Sequence, residues 1–203
     1  MKTGIISDIH GNLAALEAVL ALMRDRGVTR FVCCGDIVGY GPDPNGCVEA
    51  IRNLHTVCVA GNHDYGVVGK TSIRAFNESA AAAVTWTRNK LSLANRVYLE
   101  NLPLTERLDP MLIVHASPSE PEEWVYLLSL VEVEEEMNYY PDRICLVGHS
   151  HHPFAVERLP GQQARFITAD SFELQPEARY LINVGSVGQP RDGDPRACAV
   201  IYN

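Results

Sequence analysis

The sequence is short of positive charge. It contains 17 Lys and Arg residues against 25 Asp and Glu residues, which gives a formal net charge of -8 at pH 7. Proteins that bind long nucleic acids neutralise many phosphates with Lys and Arg, so we expect no extended nucleic-acid binding. A site for a single phosphate group must therefore supply its positive charge locally.

Long apolar runs are also missing. No run reaches the roughly 18 residues needed to cross a bilayer, and Asp8 follows Met1 too closely for a secretory signal. We therefore expect a cytoplasmic protein without a membrane partner. The six cysteines show no CxxC spacing, and most of them lie in apolar runs such as FVCC at 31–34. This placement favours buried free thiols over disulfides or zinc ligands.

Short β-branched runs alternate with helical periods in the first third of the chain, which predicts βαβ units and a parallel sheet. Asn12 is a typical N-cap for the first helix, and Gly27 is a typical end for it. The expected order is strand, helix, strand, helix and strand, with the strands at 3–7, 28–34 and 56–60 and the second helix at 45–54.

The alternation of strand and helix patterns ends at Gly61. A loop is expected to lead from there into an Ala-rich helix at 78–91 and a second helix capped by Ser92. These helices are interpreted as a cap-like insertion at about 65–110. Trp86 lies on the first of them and is expected to pack in the core rather than to stack on a ligand.

The remaining segments favour one α/β unit that spans residues 1–203. At about 150 residues per domain, a second full domain is not expected. Two further strands are expected at 111–114 and 144–147, an acidic helix lies between them at 131–138, and the chain from Pro153 is predicted to be β-rich.

Five of the expected strands share one feature, a side chain able to bind metal just after the apolar run. In open α/β sheets the carboxyl ends of the strands form the binding crevice, so five segments aim at one place. These side chains are Asp8, Asp36, Asn62, His115 and His149.

Two segments carry a second such side chain two positions later, His10 after Asp8 and His151 after His149. In extended chain this spacing puts both side chains on one side. Four imidazoles with three oxygen ligands suit Mn, Fe, Co, Ni or Zn better than Ca or Mg. Seven ligands are too many for one tetrahedral zinc, and they suit two ions about 3.5–4 Å apart with one bridging carboxylate.

The segments that carry these residues resemble, in order and spacing, the motifs of the calcineurin-like metallophosphoesterase family. They are also similar to those of its small bacterial and archaeal phosphodiesterase branch. The resemblance implies two mixed β-sheets packed as a sandwich flanked by helices, with a dinuclear site at the carboxyl ends of the strands. The motifs are DIHGN at 8–12, GDIVG at 35–39, GNHD at 61–64, VHASP at 114–118 and GHSH at 148–151.

The resemblance also implies roles for individual residues. His63 matches the catalytic histidine that assists the leaving group, and Asp64 would orient it. The cofactors would be two divalent transition-metal ions, with Mn favoured and Fe, Ni, Co or Zn as alternatives. Asp36 would bridge them, with Asp8, His10 and His151 on one ion and Asn62, His115 and His149 on the other.

Two residues outside the metal set are candidates for substrate binding. Arg191 lies in a Gly-rich loop at 183–194, where it could meet a phosphate or form a salt bridge across a tight turn. Asn12 is assigned first to helix capping, although a helix N-terminus beside the metals would favour a phosphate. Tyr40 could line the rim of the same site.

The expected function is hydrolysis of a small phosphate ester, a phosphodiester before a monoester, by hydroxide that two metal ions generate from water. The alternatives are a protein Ser/Thr or nucleotide phosphomonoesterase and a non-catalytic scaffold of the same fold. Loss of a ligand or of His63 would indicate a scaffold, and none is lost. A metal-dependent amidohydrolase is disfavoured, because its barrel needs about 250 residues and eight βα units, which this chain lacks. The oligomeric state stays open.

Overall fold

The computed structural model describes all residues from Met1 to Asn203. The strands are β1 (Lys2–Ile6), β2 (Val28–Cys33), β3 (Val57–Cys58), β4 (Thr105–Leu108), β5 (Met111–Val114), β6 (Ile144–Val147), β7 (Phe154–Arg158), β8 (Arg165–Ile167), β9 (Arg179–Asn183) and β10 (Val200–Tyr202). The helices are α1 (Leu13–Asp25), α2 (Pro44–Asn53), α3 (Asn62–Val68), α4 (Glu78–Lys90), α5 (Leu93–Glu100) and α6 (Leu130–Glu136), with a 3-10 turn at Ile73–Ala75.

The strands form two mixed sheets, as the resemblance implied. The four-stranded sheet has the order β10-β1-β2-β3, and the six-stranded sheet has the order β4-β5-β6-β9-β7-β8. In the first sheet β1, β2 and β3 are parallel and β10 is antiparallel to β1. In the second, β5, β6 and β9 are parallel. The parallel strands end on the same edge of each sheet, which is where the site lies.

The two sheets pack face to face. Ile5 and Val32 from the first sheet share one buried cluster with Ile113, Leu146 and Tyr180 from the second. Side chains alternate across a strand, so Ile6 faces the other way and joins a second cluster, beneath the helices. A third cluster packs α6 on the outer face of the six-stranded sheet. The result is a sandwich flanked by helices on both sides.

Helix α1 begins where the sequence predicted. Asn12 accepts a hydrogen bond from the Ala15 amide at 3.1 Å, and Leu16, Leu20 and Met23 bury one face of the helix. Burial of this stripe at helical spacing fixes α1 against the first sheet. All six cysteines are free thiols, also as predicted.

Three local predictions were wrong. Residues expected to form a loop after Gly61 form helix α3. The strand β4 was not predicted, because its TERL sequence is polar and half of its residues are exposed. Trp86 is 41% exposed rather than packed in the core, and the Lys90 ammonium lies over its ring.

Helices α4 and α5 pack against α3 and against α2. Val84 from α4 and Leu99 from α5 are fully buried and belong to the same apolar cluster as α1 and α2. The segment between α3 and α4 therefore lies beside the carboxyl edge of the first sheet. No helix in the fold combines the length and apolar character that crossing a membrane requires.

Candidate metal centre

The seven predicted ligands lie together at the carboxyl ends of β1, β2, β5 and β6 and at the start of α3. All seven are buried, and the most accessible, Asn62, is only 8% exposed. Strand order explains the meeting: β1 and β2 are neighbours in one sheet, β5 and β6 are neighbours in the other, and the sheets face each other. The sequence prediction of one common site is consistent with this geometry.

The backbone turns sharply at five of these positions. Asp8, His10, Asp36, His149 and His151 have φ angles between 50° and 64°. This left-handed conformation is costly for residues other than glycine, about 1–3 kcal/mol each, and such strain concentrates at functional sites. The folded chain tolerates the strain at the positions that aim a ligand at the cluster.

Four imidazoles are oriented in the same way, each by a backbone carbonyl. The acceptors are Val38 O for His10 Nδ1 (3.1 Å), Cys34 O for His115 Nδ1 (2.7 Å), Trp124 O for His149 Nε2 (2.8 Å) and Gln189 O for His151 Nδ1 (2.5 Å). A carbonyl can only accept, so these nitrogens carry the hydrogen. A neutral ring then presents a lone pair on its other nitrogen, the arrangement typical of metal-binding histidines.

The free Nε2 atoms of His10, His115 and His151 lie close to the two buried aspartates. His151 Nε2 lies 3.1 Å from Asp8 Oδ1 and 3.1 Å from His10 Nε2. Asp36 Oδ2 lies 3.6 Å from His10 Nε2 and 3.4 Å from His115 Nε2. Lone pairs and carboxylates this close repel each other unless a positive charge, from a bound proton or a metal ion, lies among them. The donor set therefore fits divalent metal ions.

Unpaired polar atoms support the same interpretation. Asp8 Oδ1, Asn62 Oδ1 and His115 Nε2 are buried without a hydrogen-bond partner. Leaving such an atom unsatisfied costs about 1–3 kcal/mol. Side chains of the cluster form three groups whose ligand atoms are close enough to share an ion. The groups are Asp8 with His10 and His151, His10 with Asp36 and His63, and Asp8 with Asp36 and His115. Asp36 belongs to two of them.

Burial and charge act in opposite directions on the protonation of the cluster. Burial lowers the pKa of His10 and of His149 to about 3, so both rings are neutral. Burial also opposes protonation of His115, but the Asp36 carboxylate outweighs it and raises the pKa of His115 to about 10. Burial alone would raise the pKa of Asp36, whereas His115 and His63 hold that pKa well below its usual range. A bound cation would take the place of the His115 proton, since metal binding releases protons from its ligands.

His63 lies within the cluster but is held differently. Its backbone amide donates to Asp36 Oδ1 at 2.8 Å, and its ring packs 4.8 Å from the His10 ring. Its Nδ1 atom is buried without a partner. The imidazole is thus placed beside the ligands with a nitrogen available for proton transfer.

The expected role of Asp64 is corrected by the structure. Asp64 Oδ1 accepts from the amides of Ile37 and Val38, and Oδ2 accepts from the amide of Gly61. The carboxylate therefore ties the start of α3 to the loop after β2 and does not orient the His63 ring. Three backbone donors surround this carboxylate, and sequence spacing alone gave no sign of them.

Position 61 in the GNHD segment requires glycine, because the backbone there lies directly against Asp36. A Cβ atom at this position would collide with Asp36 Oδ1 and with the Asp36 amide. Glycine lets the backbone of the third motif pass directly against the second. The motif spacing seen in the sequence thus has a steric reason.

The two candidate substrate residues have different surroundings. The Arg191 guanidinium donates to Gln189 Oε1 at 2.7 Å, lies 5.9 Å from the centre of the Tyr40 ring and forms no salt bridge. Asn12 uses both ends of its amide: Oδ1 caps α1, and Nδ2 donates to Gly188 O at 3.1 Å. Asn12 therefore acts as a cap and a loop tether, while Arg191 borders the cavity in front of the cluster.

Sequence reasoning missed three aromatic residues at the site. Tyr126 stacks on His149 with ring centres 4.0 Å apart, Phe76 lies 5.1 Å from His63, and Trp124 lies 6.0 Å from His115. Trp124 also donates from its indole nitrogen to Thr71 Oγ1 at 3.1 Å. The WVY run that follows His115 by nine residues was the available signal.

Comparisons with known proteins identify the family of this chain. A sequence model of the calcineurin-like phosphoesterase superfamily domain matches residues 1–203. An uncharacterised protein of Methanocaldococcus jannaschii, MJ0912, is 43% identical over 204 residues, which cover 98% of this chain and 81% of the relative.

Solved structures give the same result. A metallophosphoesterase from Sphaerobacter thermophilus is 39% identical, with a TM-score of 0.84, and the match covers 100% of this chain and 83% of that chain. The hypothetical protein PH1004 from Pyrococcus horikoshii OT3 is 21% identical, with a TM-score of 0.70 over 92% of this chain and 77% of that chain. At that identity the second structure supports the fold alone.

Proposed function

This chain belongs to the calcineurin-like phosphoesterase superfamily, and from that premise we propose that it hydrolyses phosphodiesters with the help of two divalent transition-metal ions. The observation that carries the proposal is the orientation of four imidazoles by backbone carbonyls, which leaves the Nε2 atoms of His10, His115 and His151 within 4 Å of Asp8 or Asp36. A purely structural set of buried histidines would have no reason to leave these nitrogens facing one another.

The proposed ligand assignment follows the family pattern, and the distances among Asp8, His10 and His151 support its first group. One ion would be held by Asp8, His10 and His151, and the other by Asn62, His115 and His149. Asp36 would serve both ions, because its Oδ2 atom faces His10 on one side and His115 on the other. When bound, the ions would lower the pKa of a water molecule and neutralise charge on the phosphoryl oxygens.

His63 would assist the departing oxygen. Its ring is buried, and burial lowers its pKa. At neutral pH the ring would therefore become a positively charged imidazolium only through interaction with substrate or a neighbouring acid. With its backbone fixed by Asp36, the ring would hold a proton or a partial positive charge at the leaving oxygen. This role needs no contact from Asp64.

The charge of the cavity favours a diester over a monoester. Among the residues that line it, Arg191 is the only lysine or arginine. A diester carries one negative charge and a monoester carries up to two near neutral pH, so a single arginine beside the ions suits the diester better. Mn is the favoured metal, with Fe, Co, Ni and Zn as alternatives that the same N and O donors accept.

The test uses purified, chelator-treated protein reloaded with Mn²⁺. We expect hydrolysis of bis-p-nitrophenyl phosphate to exceed that of p-nitrophenyl phosphate at equal concentration. The His10→Ala variant should lose the activity, and the exposed-residue control Asp192→Asn should retain it. Faster hydrolysis of the monoester would indicate a phosphomonoesterase, and absence of turnover on both esters with metal bound would support the non-catalytic scaffold.

A further inference from the structure

A cavity of about 360 Å³ extends outward from the metal cluster. Its floor includes Asp36, Asn62 and His149, which the proposed function assigns to the ions. Its walls come from two separate segments, residues 71–80, which join α3 to α4 and form the first turn of α4, and the loop at 123–126 after β5. The cavity thus has room for an organic group attached to a phosphate that is held at the ions.

Four aromatic rings line this cavity, namely those of Tyr40, Phe76, Trp124 and Tyr126. Each ring contacts an imidazole of the cluster on one side. Tyr40 lies 4.7 Å and Phe76 5.1 Å from the His63 ring, measured between ring centres. The rings therefore surround the position where a leaving group or a second ester group would project.

The exposure of these rings is not what packing alone predicts. Tyr126 covers His149 with one face at an interplanar angle of 23°, yet the residue is 45% exposed. The side chains of Tyr40, Phe76 and Trp124 are also only partly buried. Aromatic surface left open beside a phosphate site is the arrangement that binds nucleotide bases by stacking.

Polar groups complete the outer part of the cavity. Ser72, Asn77 and Glu123 line it beyond the aromatic rings. Asn77 uses its Oδ1 to cap α4, which leaves its NH₂ group as a donor. A flat ring with donors and acceptors on its edge would find partners here, whereas an aliphatic chain would not.

We propose that this cavity is a subsite for a nucleobase, so that the substrate is a phosphate ester of a nucleoside whose base stacks against Phe76 and Tyr126. The proposal rests on the proposed function, since the phosphate is placed at the ions. Arg191, which lies 5.9 Å from the centre of the Tyr40 ring, lines the same cavity. The subsite selects the organic part of the substrate, which the metal ligands alone do not do.

Two phosphates that differ only in the base provide the test. Adenosine 5′-phosphate and ribose 5-phosphate are titrated into Mn²⁺-loaded protein, and binding is measured by calorimetry. We expect adenosine 5′-phosphate to bind about 10- to 100-fold more tightly, the contribution of stacking one base. Equal affinity of the wild-type protein for the two phosphates would overturn the proposal.

Variants of the two stacking residues locate the base. Phe76→Leu and Tyr126→Ala should each reduce the ratio of the affinities for adenosine 5′-phosphate and ribose 5-phosphate, and Tyr126→Phe should keep this ratio. The matched control is Tyr139→Ala, because Tyr139 is 60% exposed and lies outside the cavity. A preference that both reducing variants retain would also overturn the proposal.

The same preparations separate this inference from the proposed function. Hydrolysis of bis-p-nitrophenyl phosphate requires the ions and involves no nucleobase. Protein that hydrolyses the diester but does not distinguish the two phosphates would contradict the subsite alone. Protein that distinguishes them but hydrolyses no ester would contradict the catalytic function and retain the subsite.

Discussion

The Nε2 atoms of His10 and His151 lie 3.1 Å apart. The Nδ1–H group of His10 donates to the Val38 carbonyl, and the Nδ1–H group of His151 donates to the Gln189 carbonyl. Two neutral rings fixed in this way point lone pairs at each other. Asp8 Oδ1 also lies 3.1 Å from His151 Nε2. A metal ion held by these side chains would replace this repulsion with coordination.

Replacing Asp36 by Asn should weaken both metal ions together. Its Oδ2 atom faces His10 and His115 at similar distances, 3.6 and 3.4 Å, so loss of its charge affects both sides. Calorimetric titration with Mn²⁺ should show each affinity reduced at least as much as the roughly 10- to 100-fold cost of losing a supporting hydrogen bond. Asp192→Asn, on an exposed loop, is the control. If only one ion is weakened, Asp36 is not the bridge.

Replacing His63 by Gln should slow hydrolysis according to the leaving group. The loss in kcat should be about 10²- to 10⁴-fold for alkoxide leaving groups, which need a proton, and much smaller for p-nitrophenolate. Metal content should stay near that of the parent. Equal losses on both substrates would exclude the acid role, and a parallel loss of metal would make His63 a ligand.

Replacing Asp64 by Ala should destabilise the protein rather than mimic the His63 variant. Three buried backbone amides, those of Ile37, Val38 and Gly61, would lose their acceptor. Each unsatisfied donor costs about 1–3 kcal/mol, and urea unfolding monitored by circular dichroism measures the loss. Asp64→Asn keeps an acceptor oxygen and should fall between the parent and the Ala variant. Unchanged stability together with a leaving-group-dependent loss of kcat would restore the orienting role.

Replacing Arg191 by Ala should reduce kcat/KM while metal content stays constant. One charge-assisted contact to a phosphate corresponds to about 1.5–3 kcal/mol. Arg196→Ala is the matched control, because Arg196 is an exposed arginine nearby in the sequence, paired with Asp194. If the two variants behave alike in steady-state kinetics, Arg191 has no part in binding the phosphate.

The predictable part of the fold is the part that apolar periodicity and strand ends determine. β1, α1 and β2 follow from buried apolar runs and from the Asn12 cap, and the site follows from one polar side chain after each strand. β4 could not be found in this way, because it is a polar edge strand whose only strand partner is β5. Helix α3 contains a glycine and begins in a motif read as a loop, and its start is held by Asp64 from within.

The residues that lie together at the site were predictable, and their surroundings were not. Seven side chains carry chemistry that their residue types reveal. Asp64 accepts from the backbone amides of Ile37 and Val38, and the Trp124 carbonyl accepts from the His149 ring, so both contacts join groups distant in sequence. Trp86 illustrates the converse: an aromatic on an Ala-rich helix favours burial, yet its position on α4 faces outward.

The most direct test of the central claim is a titration of chelator-treated protein with Mn²⁺, read at once by calorimetry and by hydrolysis of bis-p-nitrophenyl phosphate. The account predicts two ions per chain, no turnover before metal is added and restored turnover once both ions are bound. Binding should also raise the melting temperature, since the ions bind the folded cluster. Full turnover in metal-free protein, or a chain that binds no ion at the buried cluster, would contradict it.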